Sequence, residues 1–163
     1  MAQAVPKHLP GGTMARSFLK NSSSSIAVEP RILPVMLEDV PQAWPGVLPF
    51  LAEMTEQTSG RYTPETARQA VDSRSWMLWI IVRGSDLLGC SLTEVTRYPT
   101  GLMEFCVNWL AGVDAADWLH LTPDLEKVAR ELGCDRMTWQ GRHGWRRVHR
   151  DYRSLCVFME KQL

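Results

Sequence analysis

No stretch of this chain stays apolar for the roughly 18 residues a membrane span needs, and no early apolar run has the length of a secretory leader's core. These absences point to synthesis in a cytoplasm and to no membrane partner. There is no CxxC pair. Cys90, Cys106, Cys134 and Cys156 stand singly among apolar neighbours, with no histidine at metal-ligand spacing, so they read as reduced core thiols. His120, His143 and His149 make no metal set either, because His143 and His149 are six apart, off the i,i+4 spacing that puts two ligands on one helical face. No nucleophile-elbow sequence supports Ser-His-Asp catalysis, and no helix-turn-helix or RNP pattern supports a nucleic-acid reader.

The chain has 163 residues, 45% of them apolar and 22% charged, with seven tryptophans. That is the balance of one globular domain with large packing surfaces. The net charge of zero conceals an asymmetry: residues 1–135 carry 11 Lys/Arg against 16 Asp/Glu, whereas 136–163 carry 7 against 2. Such a separation favours contact with an anion, or with an acidic surface of a partner or of a second copy, as in a homo-oligomer. Residues 1–30 mix Gly, Pro and a four-serine run without any sustained period, so they read as a tail that orders only against a partner. The domain proper is 31–163.

The domain opens on a strand, RILPVML. A stretch with Val47, Leu48, Leu51 and Met54 at helical spacing follows, and Pro41, Pro45 and Pro49 break it into short pieces. Thr63 as N-cap and Pro64 behind it start a second helix. Residues 76–82 and 87–98 flank the turn sequence RGSD, and PTG separates them from a third antiparallel strand over 102–110. Trp118, Leu121, Leu125, Val128 and Leu132 then mark one helical face that Pro123 kinks or divides and Gly133 ends. A short strand DRMTWQG, a helix from about 143 to 152 and a closing strand LCVFMEKQL complete a mixed α/β layer fold with a twisted, mostly antiparallel sheet.

This element order resembles the GNAT acyltransferase fold. The runs GRYTPE, LTEVTRYPTG, ELGCDRM and GRHGWRRVHRDY are similar to those of small GNAT-like proteins of tailed bacteriophages, over roughly 31–163. The resemblance implies acetyl-coenzyme A at a splay between the fourth strand and the strand after the central helix, its diphosphate on the backbone amides of a glycine-rich loop. Here that loop is LAGVDAAD, preceded by Trp109, with Gly112 its one glycine. It has no lysine, arginine or glutamine, and it carries Asp114 and Asp117 where phosphate oxygens would go. Asp114 as N-cap, with Asp117 three residues on, would already satisfy the amides a diphosphate needs. The expectation is therefore no cofactor, and a role as a virion or assembly component binding other phage virion proteins. The alternative is an N-acetyltransferase using acetyl-coenzyme A on a protein or small-molecule amine.

For that alternative, the resemblance implies Glu94 and Glu104 as candidate general bases and Tyr152 as the acid. Against these stand ordinary readings: a carboxylate on the wet face of a strand, and a tyrosine capping the core. In the C-terminal stretch, Arg142, Arg146, Arg150 and Arg153 fall at spacings of four, four and three, a stripe opposite Trp145, Val148 and Tyr152. The stripe suits phosphate or carboxylate and leaves three readings open: nucleic acid, a partner's acidic surface, or a solvated face.

Overall fold

A computed structural model describes residues 28–140, 147, 149–155 and 160–161. Strand β1 (Arg31–Pro34) leads through a 3-10 turn (Leu37–Asp39) into helix α1 (Val40–Val47), a second 3-10 turn (Leu48–Leu51) and the single-turn α2 (Met54–Gln57). The segment is broken into pieces as the sequence indicated, with Pro41 and Pro49 each at the start of one, but Pro45 lies inside α1 without ending it. The pieces still share one apolar side, burying Val40, Trp44, Val47, Leu51 and Met54. Helix α3 (Pro64–Asp72) starts at Thr63, whose hydroxyl accepts from the Thr66 amide while the Thr66 hydroxyl accepts from the Thr63 amide. Threonine thus does at the third position what glutamate or glutamine usually does in a capping box.

Strands β2 (Met77–Arg83), β3 (Asp86–Arg97) and β4 (Met103–Gly112) form the antiparallel meander, and β5 (Arg136–Trp139) adds in parallel beside β4, giving the order β1-β2-β3-β4-β5. Gly84, at φ 61°, makes the β2–β3 turn possible with only two residues. Between β4 and β5 lie two 3-10 turns (Ala115–Asp117 and Leu119–Leu121) and helix α4 (Thr122–Glu131). Pro123 falls in the first turn of α4, where its missing N–H costs nothing, so of the two alternatives it divides the expected helix, opening α4 after the Leu119–Leu121 turn, and does not kink it.

The helices clothe opposite faces of the sheet. Helices α1 to α3 pack with Trp76, Leu78, Cys90, Leu92 and Trp109, and α4 lays Leu125 and Ala129 against Trp79, Phe105 and Val107. The C-terminal helix expected over 143–152 and the closing strand fall largely outside the described residues. Within 149–155 the chain makes a turn at Arg150–Asp151, with Tyr152 N–H donating to the His149 carbonyl at 3.2 Å, and does not continue as a helix. No helix among the described residues is long and apolar enough to cross a membrane.

Candidate functional site

Two features of β4 shape the site. It pairs with β5 only from Glu104 to Val107, and the last bond of that edge runs from the Gln140 amide to the Val107 carbonyl at 3.1 Å. Beyond it, among the described residues, β4 continues to Gly112 against β3 alone. The register with β3 also slips: Thr93 faces Val107 while Leu92 faces Trp109, leaving Asn108 as the extra residue of a β-bulge. A bulge at the point where two strands part puts side chains into space that regular pleating would close.

Glu94 lies opposite Cys106, and Thr96 opposite Glu104. By the alternation of strands, all four stand on the face that α1 to α3 cover further along. The structure therefore brings both candidate bases together. The Trp76 indole donates to Glu94 Oε2 at 2.9 Å, Tyr62 meets Trp76 edge-on at 4.9 Å, and the Tyr98 hydroxyl donates to Glu104 Oε1 at 3.1 Å. Among the described residues no lysine or arginine forms an ion pair with Glu94.

The neighbours register this negative potential. Burial first, then the Glu94 charge, raise the Tyr62 phenol, and the hydrogen bond to Glu104 is the main cause that raises Tyr98. Burial also raises the Cys106 thiol, with Glu94 and Glu104 adding to it against the opposing bonds from Thr138 and Gln140. Cys106 is thus a protonated thiol, and a poor nucleophile. Its sulfur lies 3.1 Å from Asn108 Oδ1 and 3.6 Å from Gln140 Nε2. Asn108 is only 5% exposed, and its Nδ2 has no hydrogen-bond partner among the described residues. The sequence hid this cluster inside FCVNWL; a single asparagine in an apolar strand was the one available signal.

The turn after β4 holds Trp109, Gly112, Asp114 and Asp117, but not as the sequence suggested. Trp109 is buried under the helices, its indole donating to the Phe50 carbonyl at 3.0 Å. A Cβ on Gly112 would stand 2.5 Å from the Leu88 carbonyl oxygen and 2.9 Å from the Trp118 ring, so this glycine serves close packing. Asp114 is no N-cap: it sits at φ 49°, ψ 45°, outside the extended region a cap needs, and makes no side-chain capping bond. Asp117 does not complete a capping box; its carboxylate accepts from Arg83 Nη2 at 2.6 Å. What closes the turn is Trp118, 2% exposed, donating its indole N–H to the Val113 carbonyl at 2.7 Å.

These residues do not fit a coenzyme A diphosphate. No lysine or arginine occurs between Arg97 and Lys127, the nearby Arg83 is engaged, and Asp114 and Asp117 flank the turn. A like charge about 5 Å from a carboxylate near a protein surface costs about 3 kcal/mol. The amides of α4 offer little instead, since two 3-10 turns separate that helix from β4 and Asp124 stands in its first turn.

Tyr152 lies on the α4 side. Its hydroxyl donates to Glu126 Oε1 at 3.0 Å, and burial leads the causes that push its pKa up to about 12. Trp139 stacks on His149 at 4.5 Å and meets Tyr152 edge-on at 6.2 Å. A pocket of about 290 Å³ opens beside them, lined by His120, Thr122, Glu126, His149 and Asp151 among others. Arg150 and Arg153 are exposed, whereas Arg142 and Arg146 lie outside the described residues. Cys90 and Cys106 are free and buried, Cys134 is free and half-buried, and Cys156 lies outside the description. Among the described residues no three His, Cys, Asp or Glu side chains gather to hold a metal.

No protein-family model matches this sequence, and no curated protein is detectably similar to it. Solved structures are similar in fold. A ribosomal-protein-alanine N-acetyltransferase from Brucella melitensis biovar Abortus 2308 is 15% identical, with 82% of this chain and 97% of that one covered at a TM-score of 0.56. An aminoglycoside acetyltransferase from an uncultured soil metagenomic sample, in complex with trehalose, is 11% identical, with 82% and 96% covered at 0.62. A GNAT family acetyltransferase from Staphylococcus aureus is 11% identical, with 83% and 99% covered at 0.54. The chain has the GNAT acetyltransferase fold.

Proposed function

We propose that this chain is a GNAT-fold protein that does not carry a coenzyme A thioester and acts as a binding component. The observation that carries the reading is the turn after β4, where Asp114 and Asp117 stand and the Trp118 indole fills the space behind Gly112. The resemblance to small proteins of tailed bacteriophages supplies the setting: a virion or assembly protein, made in the host cytoplasm, contacting other virion proteins. Its basic C-terminal end, with Arg150 and Arg153 exposed, suits an acidic partner surface. Calorimetry with acetyl-coenzyme A tests the first half, the expectation being no binding heat; a micromolar Kd overturns it. Mass spectrometry of purified particles tests the second, and absence of the protein from them overturns it.

A second reading, an amine N-acetyltransferase, is favoured by one observation: Glu94 and Glu104 share a sheet face beside the parting of β4 and β5. Glu94 would take the proton from an amine. Tyr152 would first have to release Glu126 before donating one. Acetyl transfer to a panel of amines, lost in Glu94→Gln, would establish this reading in place of the first.

A further inference from the structure

We infer that the pocket between α4 and the turn at Arg150–Asp151 receives an arginine side chain from a second copy of this chain, and that the arginine is Arg150, in a two-fold contact made twice. The pocket, about 290 Å³, is larger than the roughly 150 Å³ cavity that takes a benzene-sized group, so an extended side chain can enter it. Its lining is rich in acceptors. Thr122 gives its hydroxyl proton to the Leu119 carbonyl at 3.0 Å, which leaves the oxygen's lone pairs for a donor. Glu126 accepts from Tyr152 and from Arg130, each at 3.0 Å, so its charge is already offset. Asp151 differs. It is exposed, lines the same pocket, and forms no ion pair among the described residues. No described lysine or arginine lines the pocket. A guanidinium, with five N–H donors in a planar fork, suits one unpaired carboxylate beside further acceptors better than a compact ammonium does.

The turn itself supplies such a group. Arg150 directly precedes Asp151, is likewise exposed, and forms no ion pair among the described residues. Across a two-fold axis, residue i of one copy meets residue j of the other while j meets i, so an exposed arginine next to an exposed aspartate at a turn is its own complement. Both pairings form at once: Arg150 with the second copy's Asp151, and Asp151 with the second copy's Arg150. The surroundings are mixed in charge and not basic alone, since Asp124 stands in the first turn of α4 and Arg153 follows on the C-terminal segment. Leu155, at 59% the most exposed of the large apolar residues described, gives the same segment an apolar side to bury. A contact this small is weak and reversible. Self-association rests on the pocket and the turn alone, so its failure would leave the coenzyme A reading untouched.

Sedimentation equilibrium of the full chain in dilute buffer tests this. The average mass should rise from 18.5 kDa toward twice that as the protein is concentrated, with a Kd of about 0.1 mM, and fall back in about 1 M salt. Arg150→Asp and Asp151→Arg change exposed turn residues, and each should weaken association about tenfold or more by setting like charges opposite each other. Mixed in equal amounts, the two variants should associate as the wild type does, because only the mixed pair sets an arginine against an aspartate at both contacts. Damage to folding cannot produce that restoration. A wild-type protein that stays monomeric at about 1 mM overturns the inference, as do variants that associate like the wild type or a mixture that stays monomeric. Binding of N-acetylarginine amide to a chain that remains monomeric overturns it too, and would assign the pocket to another protein's arginine.

Discussion

Gly112 and Trp118 form a fitted pair: a side chain on Gly112 would come within 2.9 Å of the Trp118 ring and 2.5 Å of the Leu88 carbonyl oxygen. The second contact is with backbone of the neighbouring strand, so relief requires the sheet itself to move. Gly112→Ala is therefore expected to lose about 2 kcal/mol, the usual scale for overpacking, read as a lower urea midpoint at unchanged slope. If this glycine existed only to admit a ligand's phosphates, the midpoint would not move.

Tyr152 ties the C-terminal segment to α4 through Glu126. Its raised pKa means the folded protein holds the phenolic proton more tightly than the unfolded chain. The resulting stability is complete below the ordinary tyrosine value of about 10 and is lost as pH rises through about 12. Tyr152→Phe should cost about 1 kcal/mol at neutral pH and flatten the alkaline decline. Denaturant midpoints at pH 8 and above measure both; an alkaline limb identical in the two proteins would show that this phenol is not its source.

Much of the fold was readable from local chemistry. Thr63-Pro64 starts α3, the Gly84 turn closes the hairpin, and Pro41 and Pro49 stand in the first turns of α1 and of the 3-10 turn after it, all through interactions within a few residues. The errors lie where distant residues decide. Asp114-x-x-Asp117 reads as a cap, but Arg83 on β2 captures Asp117 and Trp118 turns back on Val113, neither of which a local pattern reveals. The site divides the same way. Glu94 and Glu104 were visible as carboxylates in strands, whereas the bulge at Asn108 depends on the β3–β4 register and could not be read from β4 alone.

His149 is buried against Trp139, and burial lowers its pKa, with Asp151 and Glu126 opposing. The unfolded chain therefore binds this proton more readily than the folded one. The contribution is complete above the ordinary histidine value of about 6.5 and falls away as pH drops below it toward the lower folded value. Stability between pH 7.5 and 5.5 should decline in the wild type and decline less in His149→Gln. Equal slopes in the two would move the acid sensitivity to the carboxylates.

The turn after β4 can be tested for charge separately from shape. Asp117 holds Arg83 at 2.6 Å, but the pair is about half exposed on the aspartate side, so breaking it should cost under about 1 kcal/mol. Asp114→Asn with Asp117→Asn removes two negative charges and releases a guanidinium suited to phosphate, while Trp118 stays in place. Inorganic pyrophosphate is a probe small enough to ignore the indole. It should fail to bind the wild-type protein and bind the double variant weakly, the heat vanishing as salt rises from about 0.1 to 1 M and the screening length shrinks threefold. Binding of equal strength to both proteins would mean that the carboxylates are not what keeps a diphosphate away, and the weight would shift to the packing of Trp118 against Gly112.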